Sequence, residues 1–220
     1  MSKNIPKAYE LGYQDFYGRD FKVSPDVLIP RPETEQLIDD VLRLSGKAIL
    51  PGVRATKRVL KEHPLIIDVG TGSGCIAITL SLELLEAKIL ACDISDKALK
   101  IAEENNQKLA GRVVFFKSDL LENYHGAEPD VVVANLPYVD KKWEWLDREA
   151  LAAEPELALY AEENGLALIK KILSQIYERG WKSYVILEMD TSEQDEIISY
   201  AKGLGFSHKR TDGFVVELKK

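Results

Sequence analysis

The run LIIDVGTGSGCIAITL, residues 65–80, constrains this chain more than any other segment. A short apolar strand runs into Asp68, then into glycines at 70, 72 and 74, then into a helical apolar pattern. Glycines at that spacing let the backbone turn sharply and let a ligand approach with no Cβ in the way. The N–H groups that open the following helix favour a negative ligand group, a carboxylate or a phosphate. The sequence beyond continues the same alternation. Apolar β-rich runs at 65–69, 88–92, 112–116, 130–134 and 183–188 are separated by helical patterns at about 74–86, 95–109, 164–179 and 192–203. This predicts an α/β fold, a mostly parallel sheet with helices on both faces. Asp212-Gly213 between two short terminal runs predicts a closing hairpin, and so an antiparallel end to the sheet. Ser95 and Thr191 stand where helix N-caps belong.

The first 35 residues differ in character. They hold Pro6, Pro25, Pro30 and Pro32 and no sustained helical period. Asp15–Tyr17 and Phe21–Val23 read as short strands flanking Gly18, a hairpin. Pro32 suits a first helical turn, Leu37, Val41 and Leu44 share a helical face, and Gly46 ends that helix. The stretch 45–63, with Lys47, Arg54, Lys57, Arg58 and Lys61, reads as a linker or a solvated helix face. Residues 1–60 are therefore taken as a hairpin, a substrate-side segment and a linker, and 61–220 as the α/β domain.

Composition narrows the function classes. The net charge of −7 over 220 residues counts against a protein that binds nucleic acid mainly through phosphates. Nothing approaches the ~20 apolar residues of a membrane span, and the polar start carries no signal-peptide core, so a cytoplasmic protein is expected. Cys75 and Cys92 sit in apolar stretches and read as buried free thiols. No Cys/His spacing suggests a metal.

Asp93, closing the second strand in ILACD, can accept hydrogen bonds from both hydroxyls of a ribose. The loop and Asp93 fit a dinucleotide site or an S-adenosylmethionine site. Asp68 two residues before the first glycine leans towards the second. Asn135-Leu136-Pro137-Tyr138 ends the fourth apolar strand, where ligands of an open α/β sheet bind. The Asn135 side-chain oxygen and the Leu136 carbonyl can accept both N–H groups of an amide or aromatic amine, turning its lone pair towards an electrophilic methyl. Pro137 presets the turn, and Tyr138 can pack a planar group near a sulfonium. Asp119, after the third strand, can reach an adenine amino group.

Together these motifs resemble the protein-(glutamine-N5) methyltransferases of peptide-chain release factors, from about Pro6 to Gly205. VLIPRPETE (27–35) is the most specific piece. IPKAYELGYQDFYG (5–18), DVGTGSG (68–74), CDISDKAL (92–99), SDL (118–120), NLPYV (135–139), AEPELAL (153–159) and NGL (164–166) follow in order. The resemblance implies a class I methyltransferase, Rossmann-like, with a seven-stranded sheet. It also implies S-adenosyl-L-methionine as cofactor, S-adenosyl-L-homocysteine as product and no metal. It places Asp68, Gly70, Thr71, Gly72, Gly74, Asp93, Ile94, Asp119, Leu120 and Asn135 at the cofactor. Asn135, Leu136, Pro137 and Tyr138 fall at the transfer step. Arg31, Pro32, Glu33, Asn135, Pro137, Tyr138, Glu154 and Pro155 fall against the substrate. The implied substrate is the glutamine of a release factor's Gly-Gly-Gln loop, met by a monomer with no membrane or nucleic acid involved.

Three departures stand beside the resemblance. The family's N-terminal helical domain has no counterpart before Pro6. The tetrad has leucine where the family usually has a first proline, a form shared with rRNA adenine dimethyltransferases. The ending TDGFVVELKK differs from the family's. An adenine-N6 methyltransferase acting on rRNA or DNA, using the basic-aromatic cluster Lys141, Lys142, Trp143, Trp145 and Arg148, is the alternative. A non-catalytic S-adenosylmethionine-binding module is another.

Overall fold

The computed structural model describes residues 5–47, 57–143 and 151–220. Arg54 of the basic stretch, and Trp145 and Arg148 of the basic-aromatic cluster, lie outside them. The chain enters through α1 (Lys7–Leu11), a helix too short to show a period, which Gly12 ends at φ 76°. A hairpin follows, β1 (Tyr13–Phe16) and β2 (Arg19–Lys22). Its strands sit slightly N-terminal of their expected places because the turn is Tyr17-Gly18. Both turn residues have positive φ, 53° and 69°, the pair that a type I′ turn requires. Pro32–Thr34 make a 3₁₀ turn that leads into α2 (Glu35–Ser45), with Leu37, Ile38, Val41 and Leu44 buried. Gly46 ends α2 as expected: its N–H bonds to Arg43 O, and Lys47 N–H bonds to Leu42 O.

Beyond residue 60 the elements alternate as the apolar runs predict. They are β3 (Leu65–Val69), α3 (Cys75–Glu83), β4 (Lys88–Asp93), α4 (Asp96–Lys108), β5 (Val113–Lys117) and β6 (Val131–Asn135). Among the described residues a four-residue turn of helix α5 (Glu156–Leu159), then α6 (Ala167–Glu178), β7 (Tyr184–Glu188), α7 (Gln194–Gly203), β8 (Ser207–Asp212) and β9 (Val215–Lys219) follow. One sheet of seven strands runs β5-β4-β3-β6-β7-β9-β8. The first five are parallel, and β9 and β8 are antiparallel to their neighbours, as the terminal Asp-Gly suggested. Ser95 caps α4, its hydroxyl accepting Ala98 N–H at 3.2 Å. Thr191 does not cap α7. Asp190 Oδ1 accepts Ser192 N–H instead, and the helix starts after Glu193.

Both sheet faces are apolar, and strand alternation divides them cleanly. Ile67, Val69, Leu90, Val132, Val185 and Leu187 point to one face and pack with Ile169, Leu173 and Ile176 of α6. Ile66, Ile89, Val131, Val133 and Ile186 point to the other, against Ile76, Ile78 and Leu80 of α3. Phe16, Phe21, Leu37, Ile38 and Val41 join that second layer, so the hairpin and α2 are packed onto the sheet. Cys75 and Cys92 are free and buried. Among the described residues, no helix is long and apolar enough to cross a membrane.

Candidate active site

From β3 the sheet grows one way through β4 and β5 and the other way through β6 and β7. The carboxyl ends of strands at such a reversal leave a crevice. A cavity of about 300 Å³ lies there, between the glycine loop, the ends of β4 and β6, and residues 26–34 and 155–158.

Its cofactor side is built from one βαβ unit. Gly70 and Thr71 N–H both donate to Cys92 O at 2.9 Å, tying the loop to β4. Asp93 accepts Gly72 N–H on Oδ2 and Ser95 N–H on Oδ1, each at 2.9 Å. Burial pushes its carboxyl above the ordinary carboxylate range, and these bonds oppose the shift. Gly72 has φ 54°, and a Cβ there would meet no protein atom within 4 Å, so the loop presents bare backbone to the cavity. Ile94 adds an apolar wall that is 47% exposed, a surface suited to the face of a planar ring. Asp119 and Leu120 also line the cavity, with Asp119 paired to Lys171 Nζ at 2.6 Å.

Asp68 lies behind the loop rather than on the cavity wall. It is fully buried, and Thr71 Oγ1 donates to its Oδ2 at 2.6 Å. Its Oδ1 has no hydrogen-bond partner among the described residues. Burial raises its pKa to about 7, against hydrogen bonds from Thr71 and the Ala77 backbone.

The opposite side is assembled from distant segments. Asn135 ends β6 directly beside Glu188, which ends β7. The Asn135 amide nitrogen donates to Thr34 Oγ1 at 3.0 Å, leaving Oδ1 to the cavity that Asn135 lines. Tyr138 turns away from the cavity and donates its hydroxyl to Glu188 Oε1 at 3.2 Å. Glu188 is 2% exposed, and its Oε2 is buried without a partner among the described residues. Burial raises its pKa, opposed by the nearby Thr34 and Tyr138 hydroxyls and the Asn135 amide. Arg31 reaches the cavity with its guanidinium paired to the buried Glu154, which also accepts Ile29 N–H at 3.1 Å. The loop and the tetrad lie close together: a Cβ on Gly70 would stand 2.9 Å from Leu136 Cδ2.

Of the residues singled out from sequence, Gly70, Thr71, Gly72, Asp93, Ile94, Asp119, Leu120, Asn135, Leu136, Pro137, Arg31 and Pro155 meet at this cavity. Asp68, Gly74, Tyr138 and Glu154 stand behind its wall, and Pro32 and Glu33 are exposed beside it. Sequence reasoning passed over Thr34 and Glu188. Thr34 sits inside the most specific motif, and Glu188 is an acid ending an apolar strand, the same signal that marks Asp93. Lys141 of the basic-aromatic cluster pairs with Glu156 at 2.6 Å and lies over the Tyr160 ring. Among the described residues, no cluster of His, Cys, Asp or Glu could hold a metal ion.

The sheet order, the glycine loop and the acid after β4 define a class I methyltransferase, Rossmann-like with a seven-stranded sheet. The profile of the "Methyltransferase small domain" family matches residues 46–153. A solved neighbour, the magnesium protoporphyrin IX methyltransferase of Synechocystis PCC 6803 with bound SAM, shares the fold. Its TM-score is 0.54 at 20% identity, over 86% of this chain and 79% of that one. The release factor glutamine methyltransferase of Koribacter versatilis is 43% identical over 80% of this chain and 60% of its own length. That of Bacteroides thetaiotaomicron is 40% identical over 84% and 63%. The chain is thus similar to release factor glutamine methyltransferases, and it spans about three fifths of the length of these curated relatives.

Proposed function

We propose that this chain transfers a methyl group from S-adenosyl-L-methionine to the side-chain nitrogen of the glutamine in a release factor's Gly-Gly-Gln loop. The observation that carries this reading is the Asn135 amide, whose nitrogen is held by Thr34 so that Oδ1 is left to the cavity. An amide nitrogen is a poor nucleophile because its lone pair is delocalised. Asn135 Oδ1 and the Leu136 carbonyl would accept its two N–H groups and so turn the lone pair towards the electrophile.

The glycine loop, Asp93 and Ile94 fit the cofactor: bare backbone for its amino-acid end, a fixed carboxylate for the ribose, an apolar wall for the base. S-adenosylmethionine supplies an electrophilic methyl on a sulfonium. Arg31 and Pro155 border the approach to Asn135 and would meet the substrate loop. In this reading residues 1–60 supply substrate-side groups, and 61–220 hold the cofactor.

Incubation with labelled cofactor and, in turn, release factor, rRNA or buffer tests it. Mass spectrometry should find one added methyl on the Gly-Gly-Gln glutamine. Methylated adenine beside an unmodified release factor would overturn it in favour of an rRNA enzyme, and label on neither would leave a binding module.

A further inference from the structure

The two ends of an asparagine amide have nearly the same size and opposite hydrogen-bonding sense. If Asn135 accepts from the substrate, something must keep its NH₂ from facing the cavity. Thr34 Oγ1 accepts from that NH₂ at 3.0 Å. A hydroxyl can be donor or acceptor, however, and by itself does not choose. The choice needs an acceptor-only group that takes the hydroxyl proton, and the candidate is Glu188, whose buried carboxyl lies near the Thr34 hydroxyl with one oxygen unpaired among the described residues. It lies beside Asn135 in the β6–β7 register and is 2% exposed. One of its oxygens receives Tyr138 OH, and the other has no partner among the described residues.

We propose that Glu188 and Thr34 are positioning residues that fix which end of the Asn135 amide faces the cavity. The carboxylate of Glu188 accepts the Thr34 hydroxyl proton, the Thr34 oxygen must then accept from Asn135 Nδ2, and Asn135 Oδ1 is left pointing at the substrate. Thr34 borders the cavity and Glu188 stands behind it. Each acts through Asn135. This inference rests on the methyl-transfer reading above.

Glu188→Gln keeps the shape but can present an NH₂ to Thr34, so both amide orientations become available. It should lower the single-turnover transfer rate by roughly 10²-fold, the scale for losing one preorganised polar contact, while cofactor affinity and melting temperature hold. Thr34→Val should show the same loss, and Thr34→Ser should restore the rate. Asn135→Asp should be worse beside Glu188 than beside a glutamine, because two carboxylates then crowd one buried site. The double variant Asn135→Asp/Glu188→Gln should therefore outpace Asn135→Asp alone. A Glu188→Gln enzyme at the wild-type rate would overturn the inference, as would a rate loss matched by loss of cofactor affinity and thermal stability.

A readout independent of turnover separates this from the functional reading. In protein labelled with ¹⁵N-asparagine, the Asn135 side-chain NH₂ should exchange slowly, and Glu188→Gln should speed it. Equal exchange in the two proteins refutes the positioning role even if methyl transfer is confirmed. A wild-type protein that modifies no release factor but shows the exchange difference refutes the substrate instead.

Discussion

Gly72 meets Asp93 across 21 residues of sequence, whereas Asn135 meets Thr34 across 101 and Arg31 meets Glu154 across 123. The core of the cofactor side is one supersecondary unit, its backbone amides and the Asp93 carboxylate held by the strand–loop–helix–strand that contains them, with Asp119 and Leu120 added from just beyond β5. The acceptor side exists only once α2, β6, β7 and the segment around Glu154 have all packed. A local unit tolerates change elsewhere, because its bonds do not depend on distant closure. A composite one fails at any of its contributors. Substitutions on the two sides should therefore separate cleanly, except at Gly70 and Leu136, where the loop and the tetrad are in contact.

The largest expected separation is at Asn135. Asn135→Ala removes an acceptor needed when the substrate nitrogen advances on the methyl group, and should cost ~10²–10³ in transfer rate. Cofactor affinity, set by the local side, should change little. Titration calorimetry and single-turnover rates on one preparation check both halves. Parallel loss of affinity and rate would show that the two sides are not separable.

Asp93→Ala breaks the comparison from the other direction. It should weaken S-adenosylmethionine binding by roughly 1.5–3 kcal/mol, the range for hydrogen bonds to a charged group. The rate at saturating cofactor should remain, because Asn135 and Thr34 are untouched. Unchanged affinity in a folded Asp93→Ala protein would remove the carboxylate from the cofactor site.

Glu154→Gln tests whether the composite side is sensitive at its edge. Gln keeps the bond to Ile29 N–H and loses the charge that anchors Arg31. Arg31 is 35% exposed, so water screens the pair. The loss in kcat/KM for the release factor should be about fivefold, the yield of ~1 kcal/mol from a partly exposed ion pair. It should fall on KM, with cofactor binding unaffected. A change in cofactor affinity instead would tie Glu154 to the wrong side.

The same division governs how much was legible in the sequence. Strands β3 to β7 and helices α3 and α4 follow from period and glycine spacing because their cause lies within the window being read. Asp93 and Asn135 follow because an acid or amide at a strand's end is a local signal. Thr34 and Glu188 carry local marks of the same kind, a motif position and an acid at a strand's end, but their meeting at Asn135 depends on the β6–β7 register and the docking of the 3₁₀ turn, which neither segment shows. The placement of Asp68 behind the loop, with Thr71 folded over it, follows from the loop's path rather than from its residues. Thr191 was a reasonable cap by type, but Asp190 bonds Ser192 first and delays the helix.

Buried acids stand behind both sides of the cavity, and Asp68 on one side and Glu193 on the other differ in support. Asp68, behind the cofactor side, receives the Thr71 hydroxyl at 2.6 Å, and burial raises its pKa to about 7. Glu193, behind the acceptor side, has neither oxygen bonded among the described residues. A Cβ on Gly165 would lie 2.7 Å from Glu193 Oε1 and 2.0 Å from Tyr138 O, so Glu193 and the tetrad's main chain both close on Gly165. Burial, reinforced by Asp190, Glu196 and Asp140, raises its pKa from 4.5 to about 8. Between those values the unfolded chain has released the proton while the folded chain still holds it. Its contribution to stability is thus greatest below about pH 4.5 and declines as pH rises towards 8. Glutamine cannot titrate, so Glu193→Gln should remove the decline. The variant should melt close to the wild type at pH 5 and above it at pH 8. A gap of about 2–4 °C is the displacement expected of ~1 kcal/mol in a chain of this size. Thermal melts at the two pH values check it. A gap that is the same at both, or that shrinks at pH 8, would mean that Glu193 is ionised in the folded protein.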